Sequence, residues 1–122
     1  KYAPHGEYIH GDVLNLPLRN CVVDSVICTE TLEHVSNASL AVGEFNRVLK
    51  NGGFLVGSVP HQSLIWRFSF LSRTRRNLPY HKLYTLRDLY LLLNKFFSFR
   101  ARSLLTNIFF IGQKRLFSPK EQ

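Results

Sequence analysis

The 122-residue chain contains no methionine and only two cysteines. Cys21 and Cys28 are too few for a disulfide framework and lack the spacing of a zinc site, so the fold must rest on a hydrophobic core. They read as reduced thiols of a cytoplasmic protein, with Cys28, inside an apolar run, as a small core residue. A natural reading frame opens on methionine. Its absence, with the polar opening Lys1-Tyr-Ala-Pro-His-Gly-Glu, reads as an excerpt of a longer chain and not as a signal peptide. Long apolar runs are missing too: no window reaches the roughly 18 uninterrupted apolar residues of a membrane span, so no transmembrane segment is expected. Disorder is excluded by content, since 45% hydrophobic and 13% aromatic residues are enough to build a core. No Gly-x-Gly occurs anywhere.

Acidic residues all but vanish from the second half. Residues 1–60 carry Lys1, Arg19, Arg47 and Lys50 against six acids; residues 61–122 carry the other twelve basic residues against Asp88 and Glu121 alone. The net charge of +8 is therefore one-sided. That suits an anionic partner, either nucleic acid or an anionic substrate, and equally a solvated basic face.

Along the chain, residues 7–11 read as a short strand ended by Gly11, and residues 12–23 as a loop punctuated by Pro17 and Asn20. Asp24-Ser-Val-Ile-Cys-Thr is a near-continuous apolar run, as in a strand covered on both faces. Ser36 or Asn37 caps a helix whose apolar face is Leu40, Ala41, Phe45, Val48 and Leu49. Asn51-Gly52-Gly53 stops it, and residues 54–59 form another buried strand ended by Pro60. Residues 61–84 break the alternation with an apolar, helical piece and then Arg73, Arg75 and Arg76. Thr85 caps a second helix, with Asp88 in its first turn and Leu86, Leu89, Tyr90 and Leu93 on its apolar face. Residues 97–105 and 108–114 are strands joined at Thr106-Asn107 as a hairpin. Strands alternating with helices indicate an α/β fold.

Three local signals in the first sixty residues share one order and spacing: Gly11-Asp12 with Leu16-Pro17; Asp24 and then Leu32-Glu33-His34; and Glu44-x-x-Arg47-Val-Leu-Lys-Asn-Gly-Gly53. Together with His81-Lys-Leu-Tyr-Thr-Leu-Arg-Asp-Leu they resemble the class I S-adenosylmethionine-dependent methyltransferases of type 11. Asn51 stands where that family usually has Pro, and Val23 where it has Phe. The likeness covers the family's C-terminal two-thirds. The Gly-rich turn and the ribose-binding acid that open the family pattern have no counterpart here. The resemblance implies a partial Rossmann-like methyltransferase sheet, mostly parallel with an antiparallel last strand and helices on both faces. The domain would span residues 1–116, with 62–80 as a substrate-cap insert and 117–122 as a tail. The family's sheet order is 3-2-1-4-5-7-6, so Asp24 to Cys28, its strand four, becomes an edge here. Such an edge recruits either residues 7–11 or a second chain, as a homodimer.

The resemblance implies S-adenosylmethionine as cofactor. Asp12 matches the carboxylate that accepts from the adenine amino group, and Val13 the backbone N–H that meets the ring; Asp12 also suits a plain turn. Thr29 and Glu30, at the carboxyl end of a strand, join the cofactor side. His34 and His61 are candidate bases, each also readable as a locally packed histidine. Trp66, Arg73, Arg75, Arg76 and Tyr80 in the insert suit an anionic or amphiphilic acceptor, or RNA. The expected activity is methylation of a small molecule; a nucleic-acid methyltransferase and a non-catalytic binding or scaffold module derived from the fold are the alternatives.

Overall fold

The computed structural model describes residues 6–62 and 82–116; the expected insert beyond Gln62, the expected tail and the site candidates Trp66, Arg73, Arg75, Arg76 and Tyr80 lie outside them. Four strands, two α-helices and one short 3-10 turn are described: β1 (Val23–Thr29), the turn Leu32–His34, α1 (Ala38–Val48), β2 (Leu49–Pro60), α2 (Leu86–Leu93), β3 (Phe97–Leu104) and β4 (Asn107–Lys114). Both helix starts follow from their caps. The Asn37 side chain accepts the Leu40 N–H at 3.1 Å. Thr85 and Asp88 form a reciprocal capping box, which satisfies two first-turn donors at once.

The sheet order is β1-β2-β4-β3. β2 is parallel to β1, while β4 is antiparallel to both β2 and β3. Three strands therefore point one way and the last is reversed, the 4-5-7-6 half of the order implied by the resemblance. One face of this sheet holds the core. Cys28, Leu55, Val59, Phe97, Ile108 and Phe110 pack against Ala41, Val42 and Phe45 of α1 and Leu89 and Leu93 of α2. Gly57 lies under this layer because strand spacing leaves no room there: a Cβ would sit 2.4 Å from the Cys28 carbonyl and 2.5 Å from the Phe110 ring.

Five expectations are corrected. Helices do not cover both faces among the described residues: α1 and α2 share one core, and Ile27, Phe54, Val56, Phe109 and Ile111 stand exposed on the other side. Alternation was hidden because both faces are apolar. Residues 6–11 form no strand, so they do not pair with the outer edge of β1. Asn51-Gly52-Gly53 does not stop α1, which ends at Val48 and passes directly into β2 through extended Leu49. The Lys114 ammonium supplies what a glycine cap would: it donates to Asn46 O and Leu49 O, each at 2.7 Å. Gly52, at φ +74, instead accompanies the irregularity where the β1–β2 register shifts. The hairpin turns at Leu105-Thr106, one residue early, with Leu105 at φ 51. Leu40, Leu86 and Tyr90, expected on core faces, are exposed at helix margins.

Candidate functional site

The carboxyl ends of β1 and β2, the start of β4 and the end of β3 meet at one edge of the sheet, where open α/β sheets bind ligands. Glu30 is the first residue past β1. Its N–H donates to Ser58 O at 3.1 Å, and its backbone then turns into the left-handed region, φ 48. That turn carries the side chain across two neighbouring strands: Oε1 accepts from Ser58 Oγ at 2.9 Å and from Asn107 Nδ2 at 3.2 Å. Ser58 is buried, whereas Glu30 itself is exposed. Thr29 is the exposed end of β1, and its carbonyl accepts the Thr31 hydroxyl at 2.9 Å. His61 continues β2. Its N–H donates to Thr106 O at 2.7 Å, and its Nδ1 lies 3.2 Å from Ser103 Oγ.

Asp12 and Val13 occupy the loop that leads into β1. Asp12 Oδ1 accepts the Leu14 N–H at 2.9 Å and Asp12 O accepts the Asn15 N–H at 3.0 Å, an Asx turn. Oδ2 has no partner among the described residues. Val13 is half-buried and packs on the core. This loop is held to α1 by two side chains, Arg47 and Glu44. Arg47 Nη1 donates to Leu18 O and Asn20 Oδ1, and Nη2 donates to Leu16 O. Nε and Nη2 clasp Glu44 at 2.8 and 2.7 Å, while Glu44 also accepts the Leu16 N–H at 2.8 Å. The Arg47 hydrogen bonds hold the Glu44 carboxyl below the usual range. What spacing alone reads as a local helix pair is a clamp on the loop carrying Asp12.

Behind the edge lies Glu33, 2% exposed, with Oε2 lacking a hydrogen-bond partner and Oε1 3.7 Å from Nε2 of exposed His34. Burial pushes the Glu33 carboxyl up, and the Glu30 charge adds to the shift. Burial, then the charges of Glu33, Asp88 and Cys28, push the Tyr84 hydroxyl up to about 12, and it donates to Leu32 O. Burial also raises the Cys28 thiol, so it is protonated and unreactive at neutral pH. A raised carboxyl binds more protons folded than unfolded. Its contribution to stability is complete below the ordinary carboxylate range and is lost as pH rises through the folded value. Urea midpoints should therefore fall more steeply above acid pH in the parent than in Glu33→Gln, which has no proton to lose there. Parallel pH profiles for the two proteins would refute the shift.

Of the expected site residues, Thr29, Glu30 and His61 come together at the sheet edge. Asp12 and Val13 sit in their own turn, and His34 is exposed at the end of the 3-10 turn. Sequence reasoning missed Ser58 and Asn107. A serine within the apolar run Phe54-Leu-Val-Gly-Ser-Val was the available signal for the first; Asn107 joins from 77 positions away and gave none.

Residues 1–57 match the family model of the methyltransferase domain. A direct search of curated proteins finds no match. Among solved structures, the chain is similar to a SAM-dependent methyltransferase of Thermotoga maritima, with 19% identity, a TM-score of 0.73, and 86% of this chain and 62% of that one covered. It is also similar to a SAM-dependent methyltransferase of Methanosarcina mazei, with 21% identity, a TM-score of 0.68, and 88% and 66% covered. The chain spans less than two thirds of the length of each. It has the fold of the class I S-adenosylmethionine-dependent methyltransferases, and its first half carries that domain's sequence pattern. Among the described residues no helix is long and apolar enough to cross a membrane.

Proposed function

We propose that this chain serves S-adenosylmethionine-dependent methyl transfer to a small molecule, and that it holds the adenine side of the cofactor site and part of the acceptor edge. The observation that carries this reading is the coincidence of the methyltransferase match over residues 1–57 with an Asp12 carboxylate that keeps one oxygen free. When bound, the cofactor supplies an activated methyl group on a sulfonium. The protein must align the acceptor and exclude water. Asp12 Oδ2 would accept from the adenine amino group and the Val13 N–H would meet the ring, while Arg47 and Glu44 keep the loop in place. Thr29 and Glu30 would border the same ligand edge, and His61, tied to Ser103, would be the candidate base there.

In a protein that binds the cofactor, Asp12→Ala should weaken S-adenosylmethionine binding by about 1–3 kcal/mol, roughly 5- to 150-fold, the scale of a hydrogen bond to a charged group. Titration calorimetry reads this; equal affinity in both proteins would reduce Asp12 to a turn residue. A second reading, a nucleic-acid acceptor, is favoured by exposed Arg100 and Arg102 beside exposed Phe109. The outer edge of β1 remains the proposed surface for a homodimer.

A further inference from the structure

Resting on the methyltransferase reading, we propose that Glu30 is the acceptor-recognition residue of the sheet edge, and that its carboxylate binds a protonated amine on the methyl acceptor. The first ground is unspent charge. Ion pairs among the described residues tie Glu44 to Arg47 and Asp24 to Lys50, and Glu33 lies 3.7 Å from His34; none of these involves Glu30. In a chain of net charge +8, cations are abundant, yet this carboxylate is left with two neutral donors on Oε1 and no partner on Oε2 among the described residues.

The second ground is preorganisation. A non-glycine residue at φ 48 is strained and persists where its surroundings fix it. Here the fasteners are the Glu30 N–H on Ser58 O, the buried Ser58 hydroxyl and the Asn107 amide, drawn from two other strands. The side chain is thus aimed before any ligand arrives, which reduces the entropy lost on binding.

The third ground sets the sign of the ligand. Glu33 lies close enough for the Glu30 charge to raise its pKa, and its buried Oε2 is unpartnered. The exposed Glu30 carboxylate repels a phosphate or carboxylate acceptor. The neutral donors that would greet one, Ser58 and Asn107, already serve Glu30. A compact ammonium fits both the charge and the available acceptor oxygen. The amine is a handle for binding; which atom receives the methyl group is a separate matter.

Amide NMR titration of the chain and of Glu30→Gln tests this, with phenethylammonium, neutral phenethyl alcohol and anionic phenylpropionate as probes and S-adenosylmethionine as a separate arm. The amide in Glu30→Gln keeps an oxygen for Ser58 and Asn107 but removes the charge. The ammonium should shift Glu30, Ser58 and Asn107 in the parent, and roughly tenfold more weakly in Glu30→Gln, whereas neutral and anionic probes should leave them unmoved. If Glu30→Gln loses its native spectrum, Glu30→Asp, which keeps the charge but shortens its reach, should show the same weakening. Equal response to all three probes, or an ammonium response unchanged by substitution, overturns the proposal. A loss confined to the S-adenosylmethionine arm also overturns it, by making Glu30 a cofactor residue. Failure of the methyltransferase reading would show elsewhere, as absence of cofactor-induced shifts at Asp12 and Val13.

Discussion

Replacing Lys114 by methionine is expected to destabilise the fold by about 2–3 kcal/mol, because two carbonyls at the end of α1 lose a charged donor and stay buried. Lys114 is 7% exposed, and its ammonium lies 2.7 Å from both Asn46 O and Leu49 O. It joins the last strand to the point where α1 becomes β2. Methionine matches its length and relieves the burial of a charge, which offsets part of the loss; the unsatisfied carbonyls remain. Glutamine, with two neutral donors, should recover part of the difference. Urea unfolding of the three proteins reads the series. A methionine variant as stable as the parent would mean that water replaces the ammonium and that the helix end needs no lysine.

Two glycines should respond to alanine with opposite signs. Gly57→Ala places a methyl group 2.4 Å from the Cys28 carbonyl and 2.5 Å from the Phe110 ring, in the middle of the β1–β2–β4 contact. The strands must part or the ring must move, at a cost of about 3 kcal/mol. Gly43, within α1, has nothing within 4 Å of the same position. Alanine there should stabilise by about 0.5–1 kcal/mol, since glycine is the poorer helix former. Thermal melts of both variants read the contrast. Similar melting temperatures would show that β1 is not held tightly against β2.

Much of this architecture was legible because its signals are local. Asn37 and Thr85 are helix caps whose partners lie three residues away, and both start helices as their types suggest. The order of the strands followed from a spaced set of motifs that resembled a known family. The misreadings share a physical cause. Gly52 and Gly53 look like a helix stop, yet the stop is made by Lys114, which arrives from 68 positions away to meet Asn46. The exposed face of the sheet carries Ile27, Val56, Phe109 and Ile111, residues of a covered strand, so sequence alone could not say which face the helices take. The same holds at the site. Asp12 stood out by its place in the Gly11-Asp12 motif and Glu30 by its position at a strand end, while the contacts that orient Glu30 come from Ser58 and Asn107 on two other strands.

The central claim, that this chain carries the adenine side of a methyltransferase site, is tested most directly by amide NMR titration with S-adenosylmethionine. Shifts should centre on residues 11–14, with a smaller group at residues 29–31. Saturation should come only in the millimolar range, because the family's Gly-rich turn and ribose-binding acid have no counterpart in this sequence. Shifts confined to the exposed sheet face, absence of any response at Asp12 and Val13, or saturation at micromolar concentration would contradict the account.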